Sequence, residues 1–227
     1  MGVKERHDDE LIAMALGDAL PSLQIKRWLE TDAGRREWEA YRRVLGMLSD
    51  LYGDAAVAKS TNVVHYTSMR TPVGRLYVAA TEAGLVRVAF DQIEASFVTD
   101  LRRQLKRDVI QSADRMAGVV AQLEAYFAGE RPAFDVPIDL GQVAPFQRSV
   151  LMAARRIPAG QLVSYGEIAR RIGRPKASRA VGQALGHNPV PIVIPCHRIV
   201  PSGGGLGGYV GGLDIKRKLL KMEGAAA

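Results

Sequence analysis

The chain of 227 residues carries 31 Lys and Arg against 24 Asp and Glu, a formal net charge of +7, and 47% of its residues are hydrophobic. This composition is typical of globular proteins with one or two domains and a sizeable core. The single cysteine excludes an intramolecular disulfide framework and a cysteine-rich zinc module, and no apolar run approaches the roughly 18 residues of a membrane span. The first ten residues lack the basic-then-apolar order of a secretory signal, which predicts a cytoplasmic protein.

The positive charge is concentrated in the last third of the chain. Residues 142–227 contain 13 Lys and Arg and three Asp and Glu, whereas residues 1–141 contain 18 and 21. The last third therefore has a net charge of +10. Such a basic module favours a polyanionic partner, because each neutralised phosphate releases counterions. A solvated basic surface is the alternative.

The first 61 residues are predicted to form a helical N-terminal extension. Helical periodicity runs through residues 8–52, with Asp32 as a candidate N-cap, and residues 53–62 have the composition of a linker. The extension is either a cap packed on the next domain or a docking surface for another protein, and its role is open. Its apolar stripe consists of Trp38, Tyr41, Leu45, Leu48 and Tyr52.

Residues 62–141 are predicted to form a small α+β domain. Alternating apolar residues indicate strands over Val63–Ser68, Gly74–Thr81 and Leu85–Phe90, and the last two are joined as a hairpin. Two amphipathic helices follow. Their apolar faces consist of Phe97, Leu101 and Leu105 in the first helix, and of Met116, Val119, Val120, Leu123 and Phe127 in the second.

Residues 142–227 are predicted to be mainly helical and to contain a helix-turn-helix. A helix is expected over Phe146–Arg156, and Ser164 with Glu167 has the spacing of a capping box. The following helices, Tyr165–Ile172 and Lys176–Leu185, are separated by a short turn with a glycine and a proline, which is the form of a helix-turn-helix. A last, basic helix is expected over residues 214–222.

The second helix of this pair has an unusual surface for a protein that reads DNA. A reader of the major groove normally presents Arg, Asn or Gln to the base edges. Here Arg179 is the one long basic side chain among small residues, which favours close approach to a shallow surface with one cation inserted. Tight packing on a neighbouring helix is the alternative. The small residues are Ala177, Ser178, Ala180, Gly182 and Ala184.

The only cysteine, Cys196, lies in the apolar run Val190–Val200, which is predicted to be buried and extended. His197 follows it directly, and a neighbouring histidine can convert a thiol into the nucleophilic thiolate. Adjacent residues of a strand point to opposite sides, so a direct bond between them requires a bridging water or a local turn. Glu223 could orient His197 as the third member of a triad. An inert buried cysteine is the alternative.

The last third contains four sequence motifs: VSYGEIA at Val163–Ala169, PCHRI at Pro195–Ile199, GGYVGGL at Gly207–Leu213 and LLKMEG at Leu219–Gly224. Together these motifs resemble those of O6-alkylguanine-DNA alkyltransferases. The resemblance is strong over Pro145–Gly224 and weak over Val63–Ala144. It implies a ribonuclease-H-like α+β domain over residues 62–141 and a helical DNA-binding and catalytic domain with a helix-turn-helix over residues 142–227.

The resemblance implies an irreversible, single-turnover transfer of an alkyl group from O6-alkylguanine, and also from O4-alkylthymine, to Cys196. By the same likeness His197 takes the thiol proton through a water, and Glu223 orients the imidazole. Asn188 ties the second helix of the helix-turn-helix, the recognition helix, to the active-site segment. Tyr165 helps to rotate the nucleotide and donates a proton or hydrogen bond to guanine N3. The resemblance also implies that Arg179 fills the place of the rotated base in the stack and that Tyr209 lines the pocket. The backbone N–H of Val210 would meet guanine O6, and the backbone carbonyl of Ile199 would accept from the exocyclic amine.

The implied partner is double-stranded DNA with an O6-alkylguanine, bound from the minor groove by a monomer without metal or cofactor. A bacterial source would make the protein nucleoid-associated. Three alternatives stay open. A non-catalytic alkyltransferase-like protein would lack the acceptor cysteine, a helix-turn-helix regulator would bind with sequence specificity, and a cysteine hydrolase would turn over many times.

Overall fold

The computed structural model describes residues 23–40, 43, 63–130 and 133–225. The chain divides into two compact units, residues 1–61 and residues 62–227. In the first unit, helix α1 spans Leu23–Leu29 and residues 32–40 are also helical. Within the described residues no helix combines the length and the apolar character needed to cross a bilayer.

The predicted N-cap in the first unit is wrong by one residue. The hydroxyl of Thr31 accepts a hydrogen bond from the N–H of Gly34 at 3.0 Å, so Thr31 is the cap and Asp32 begins the helix. The Asp32 carboxylate instead accepts from Arg35 on the helix surface at 2.6 Å. The apolar stripe is described only at Trp38. Its other members, Tyr41, Leu45, Leu48 and Tyr52, lie outside the described residues.

A four-stranded sheet forms the centre of the α+β part, in the order β3-β2-β1-β4. Strands β1 (Val63–Thr71), β2 (Gly74–Thr81) and β3 (Gly84–Phe90) are antiparallel neighbours, which confirms the three predicted strands and their hairpin. Strand β4 (Asp108–Gln111) pairs in parallel with β1 and was not predicted. Its four residues are too few and too polar to give an alternating pattern.

Helices α2 (Glu94–Leu105) and α3 (Ala113–Phe127) bury the faces that their periodicity predicts. Along β2, alternate residues point to opposite faces of the sheet. Tyr77 packs in the same cluster as Phe97 of α2, whereas Leu76 belongs to the larger core that contains Met116 and Leu123 of α3. The sheet therefore separates a small core under α2 from the main core.

The helical part begins with α4 (Pro145–Arg155), where proline suits the first turn because it needs no N–H donor there. Ser164 caps the next helix by accepting from the N–H of Glu167 at 3.1 Å, as predicted. The Glu167 side chain, however, pairs with Arg170 and Arg171 on the surface. The remaining elements are β5 (Val163–Ser164), α5 (Tyr165–Arg171), α6 (Ser178–Gly186), β6 (Ile199–Val200) and α7 (Leu213–Met222).

Two backbone connections position the segment around the only cysteine. Strand β5, which directly precedes α5, pairs in parallel with β6, so the start of α5 lies beside the residues that follow Cys196. On the other side, the N–H of Val88 in β3 donates to the carbonyl of Pro189 at 2.8 Å. The edge of the sheet is thereby joined to the residues that lead into Cys196.

Candidate active site

Cys196 lies in a short 3-10 turn, Cys196–Arg198, and not in an extended strand. The run before it is buried, as predicted, but the extended conformation expected at the cysteine is wrong. The N–H of Cys196 donates to the carbonyl of Ile194 at 2.8 Å, which bends the chain at this point. The turn removes the strict alternation of side chains, so that Cys196 and His197 need not point to opposite sides.

Asn188 connects the end of α6 to the cysteine. Its amide nitrogen donates to the Cys196 sulfur at 3.2 Å and to the carbonyl of Ile194 at 2.9 Å. Its amide oxygen accepts from the N–H of Val190 at 3.0 Å. The side chain is buried and fully engaged. The Asn188 side chain therefore links the Cys196 sulfur to the segment that follows α6.

His197 is fully buried and is held by Glu223. Its Nε2 lies 2.9 Å from Oε1 of Glu223, and since a carboxylate only accepts, Nε2 carries the proton of the neutral ring. Its Nδ1 is buried without a hydrogen-bond partner among the residues that the structure describes. Burial lowers the pKa of His197 against the opposing effect of Glu223. The ring is thus a neutral base with a free acceptor atom.

The Glu223 carboxylate accepts four hydrogen bonds. Oε1 accepts from the hydroxyl of Tyr126 at 2.6 Å, from His197 and from Nη2 of Arg198 at 2.6 Å, and Oε2 accepts from Nε of Arg198 at 2.8 Å. Burial alone would raise the pKa of Glu223, but hydrogen bonds from His197, Arg198 and Tyr126 outweigh it and lower the pKa to about 2. The group is an anion at neutral pH.

The thiol is protonated in the free protein. Burial raises the pKa of Cys196 to about 11, while the Asn188 amide and the charge of Lys216 act in the opposite direction. Lys216 is itself fully buried, and its ammonium donates to the carbonyls of Ile199 at 2.7 Å and Leu206 at 2.5 Å. Burial lowers the pKa of Lys216 to about 8. A proton acceptor is therefore required before the sulfur can attack.

Cys196 lies in the wall of a pocket of about 330 Å³. A Cβ on Gly207, whose φ is +64°, would lie 2.8 Å from the Tyr165 hydroxyl, so glycine is required there for the loop to approach the tyrosine. The ring of Tyr209 meets that of His197 edge-on at 6.2 Å. The pocket is lined by Tyr165, Gly182, Leu185, Gly186, Cys196, Gly208, Tyr209 and Val210.

The structure brings most of the predicted site residues together. Tyr165, Tyr209 and Val210 line the pocket with Cys196, and Asn188, His197 and Glu223 are linked to it by the contacts described above. Ile199 is fully buried and is not among the residues that line the pocket, and its carbonyl already accepts from Lys216. A carbonyl oxygen has two lone pairs, so one of them is left for a ligand.

The predicted DNA-contacting residues lie at the start of α6, and only Gly182 reaches the pocket. Arg179 is exposed, and no side-chain hydrogen bond or ion pair involves it within residues 63–130 and 133–225. Ala177, Ser178 and Ala180 are half-buried. The helix therefore presents one free cation on a surface of small side chains.

Three residues of this site, Tyr126, Arg198 and Lys216, were not predicted from the sequence. Tyr126 lies 97 residues before Glu223, so no local pattern could join them. Arg198 follows the Cys-His pair inside a buried segment, and a buried arginine requires an anionic partner. Lys216 has Leu219 and Leu220 three and four residues later, a spacing that places it on the buried face of α7. The signals for Arg198 and Lys216 were therefore present in the sequence, whereas no signal pointed to Tyr126.

No group of three His, Cys, Asp or Glu side chains with a geometry suited to a metal ion occurs in the described part of the chain. The polar side chains of Asn188, Glu223 and Lys216 near Cys196 form hydrogen bonds with other groups of the protein. The arrangement combines a buried thiol, a neutral base, an anion that orients the base, and an adjoining pocket. This set of groups is suited to nucleophilic attack by sulfur on a bound ligand.

Two family models match the chain. Residues 64–140 match the ribonuclease-like domain of 6-O-methylguanine DNA methyltransferase, and residues 145–225 match the DNA-binding domain of the same family. A methylated-DNA–protein-cysteine methyltransferase from Methanosarcina acetivorans is 42% identical over 162 residues, which are 71% of this chain and 99% of that protein. A methylated-DNA–protein-cysteine methyltransferase from Mycolicibacterium paratuberculosis is 42% identical over 161 residues, which are 71% of this chain and 93% of that protein.

Solved structures agree with these matches. The O6-methylguanine methyltransferase of Mycobacterium tuberculosis is 42% identical, with a TM-score of 0.61 over 72% of this chain and 94% of that one. A structure from the same organism in complex with DNA is 40% identical, with a TM-score of 0.61 over 70% of this chain and 92% of that one. The similarity includes both the sheet domain and the helical domain, which confirms the predicted fold class.

Proposed function

The chain belongs to the 6-O-methylguanine DNA methyltransferase family, and on that premise we propose that it repairs DNA by moving the alkyl group of O6-alkylguanine irreversibly to Cys196. The chain is an alkyltransferase of DNA repair and binds DNA. The observation that carries the assignment of Cys196 is its position in the pocket wall, with its sulfur bound by Asn188 and with His197 and Glu223 next to it.

The proposed reaction is a displacement at the alkyl carbon. The bond from the Cys196 sulfur to that carbon forms while the bond from carbon to guanine O6 breaks, and the electron pair of the broken bond goes to the base. The thiol proton passes to Nδ1 of His197, directly or through one water, and Glu223 stabilises the imidazolium. The displaced base leaves as an anion and takes up one proton, which balances the proton left on the imidazolium, so the products are an S-alkylcysteine and guanine. No step regenerates the thiol, so each molecule acts once.

The leaving base needs a proton or a hydrogen bond as negative charge develops on it. We assign this role to Tyr165, which lines the pocket and whose hydroxyl lies close to Gly207. Burial, together with the neighbouring Cys196, raises the pKa of Tyr165, so the phenol is a donor at neutral pH. Tyr209 would form a pocket wall, and the N–H of Val210 and the carbonyl of Ile199 would bind the base edge.

The base must leave the duplex to reach the sulfur, because the reacting carbon is inaccessible in stacked DNA. We propose that α6 enters the minor groove, where shape and backbone contacts dominate and sequence is read poorly. Arg179 would fill the place of the rotated nucleotide. The small residues Ala177, Ser178, Ala180 and Gly182 would allow the helix backbone to come close. Such binding suits repair in any sequence context.

The non-catalytic alternative and the regulator alternative are not favoured, since Cys196 is present with a base beside it and the matched relatives are methyltransferases. We further propose a monomer that acts in the cytoplasm without a cofactor and also accepts O4-alkylthymine. Domain boundaries at residues 61/62 and 141/142 remain predictions.

The function is tested by intact mass spectrometry of the full chain after incubation with a duplex that contains one O6-methylguanine. We expect a gain of one methyl group per molecule, which stops at one equivalent of DNA, and fragmentation should locate it on Cys196. The same duplex with unmodified guanine is the control. An unchanged mass, or continued turnover with excess substrate, would contradict the proposal.

Arg179→Ala should slow repair of duplex DNA by about tenfold or more, since filling the vacated stack offsets an unstacking cost of a few kcal/mol. Reaction with a free O6-substituted guanine, which needs no base rotation, should be nearly unchanged. Single-turnover rates with both substrates measure the difference. Lys218→Ala removes the same charge from an exposed position of α7 and serves as the control. Equal slowing of both substrates by Arg179→Ala would exclude the base-replacement role.

A further inference from the structure

The ribonuclease-like domain contributes a side chain to the hydrogen bonds around the catalytic base. Tyr126 lies near the end of α3, and its hydroxyl donates to Oε1 of Glu223 at 2.6 Å. That oxygen is the same atom that holds Nε2 of His197. The two residues are separated by 97 positions and belong to the two different family domains. The sheet domain therefore reaches the bond that fixes the histidine.

The hydroxyl of Tyr126 has a function that its ring alone does not have. The ring packs against Phe127 and Phe134 at centroid distances of 5.3 and 5.2 Å, and a phenylalanine would keep these contacts. Only the hydroxyl reaches the carboxylate. Burial and the Glu223 charge raise the pKa of Tyr126, so the phenol stays protonated and acts as a fixed donor.

The carboxylate is held from two directions by groups of different origin. Arg198 approaches from the active-site turn with Nε on Oε2 and Nη2 on Oε1, and Tyr126 approaches from α3. A carboxylate with donors on both sides cannot rotate without breaking one of them. Its orientation in turn fixes the tautomer of His197, which leaves Nδ1 free to accept the thiol proton.

We propose that Tyr126 is a positioning residue for alkyl transfer, whose hydroxyl holds the Glu223 carboxylate so that His197 keeps its proton on Nε2 and accepts the thiol proton on Nδ1. This inference rests on the proposed function. It assigns the ribonuclease-like domain a direct part in the chemistry, in addition to its part in the fold.

Removal of the Tyr126 hydroxyl should change the pKa of His197. With one donor fewer, Oε1 of Glu223 becomes a stronger acceptor for His197, which stabilises the imidazolium and raises the pKa of His197. A larger fraction of His197 is then protonated below neutral pH and unable to take the thiol proton. The charged and titratable groups that face His197 from the surrounding elements are Glu223, Arg198, Lys216, Cys196, Tyr209 and, through the carboxylate, Tyr126.

The test compares Tyr126→Phe with Tyr66→Phe in the full chain. Tyr66 is also buried, and its hydroxyl also donates to a glutamate, Glu94, at 2.9 Å, but it lies in the small core under α2. Single-turnover transfer from an O6-methylguanine duplex is measured from pH 5 to 9. We expect Tyr126→Phe to shift the acidic limb of the pH–rate profile to higher pH by about half a pH unit to one pH unit. Tyr66→Phe should leave this limb in place.

A second measurement needs no alkyl transfer. Long-range ¹H–¹⁵N correlation NMR reports the tautomer and the pKa of His197, one of four histidines in the chain. We expect the pKa of His197 to rise in Tyr126→Phe and to stay unchanged in Tyr66→Phe. If both variants lose thermal stability and neither moves the limb or the histidine titration, the role of Tyr126 is structural only and the inference is overturned. If the unaltered chain transfers no methyl group, the proposed function fails, and the histidine titration then decides the positioning role by itself.

Discussion

Cys196→Ser should abolish alkyl transfer, with no mass gain after prolonged incubation with an O6-methylguanine duplex. A serine hydroxyl ionises far less readily than a thiol and is a much weaker nucleophile toward an sp3 carbon. Serine preserves the shape of the site, and its oxygen can still accept from the Asn188 amide that now binds the sulfur. Lesion binding should therefore survive, and the variant should form a stable complex with the damaged duplex.

The informative comparison is between binding and transfer in the same sample. Electrophoretic mobility shift or fluorescence anisotropy with damaged and undamaged duplexes measures binding, and intact mass measures transfer. Since Cys196 is the only cysteine, no other thiol can substitute for it. A methyl gain in Cys196→Ser would mean that another residue is the acceptor. Loss of lesion preference together with transfer would mean that the substitution disrupts the pocket and not only the nucleophile.

Glu223→Gln should both destabilise the protein and slow alkyl transfer. The glutamine amide is similar in size, but it carries no charge and offers donor hydrogens toward Arg198, which is only 4% exposed. Removal of one partner of a buried ion pair typically costs about 3–5 kcal/mol in the free energy of unfolding. Transfer should fall by about 100-fold or more, because His197 loses both its orientation and the anion that stabilises its protonated form.

The pH dependence of stability gives an independent check. The pKa of Glu223 is lowered to about 2 in the folded protein, against about 4.3 in an unfolded chain. The carboxylate therefore stabilises the fold above about pH 4.3, and this contribution is lost as the pH falls toward 2. The difference in unfolding free energy between the unaltered chain and Glu223→Gln should be constant near neutral pH and shrink on acidification.

Glu167→Gln is the matched control for these measurements. Glu167 pairs with Arg170 and Arg171 on the surface of α5, where water screens the interaction, so its loss should leave both stability and transfer nearly unchanged. Chemical denaturation at several pH values and single-turnover rates provide both quantities. If Glu223→Gln behaves like Glu167→Gln, the carboxylate is not the anion on which Arg198 and His197 depend.

Most of the local structure could be predicted from the sequence, because it depends on neighbouring residues. Alternation of apolar residues gives β1 to β3, and Ser164 caps α5 as its position predicts. Strand β4 could not be predicted, since its pairing with β1 and not its own pattern makes it a strand. The cap at Thr31 was missed because Thr31 and Asp32 are both good cap residues, and the backbone alone selects between them.

The sequence by itself also determined the candidate residues for the proposed chemistry, since the motifs around Cys196, His197, Tyr165 and Glu223 are continuous and specific. Only the tertiary structure decided how these residues cooperate. It replaced the expected strand at Cys196 by a turn, placed Cys196 in the pocket wall, and supplied Tyr126 and Arg198 to Glu223. The physical reason is that a buried carboxylate takes its hydrogen-bond partners from whatever the fold packs against it, whatever their distance along the chain.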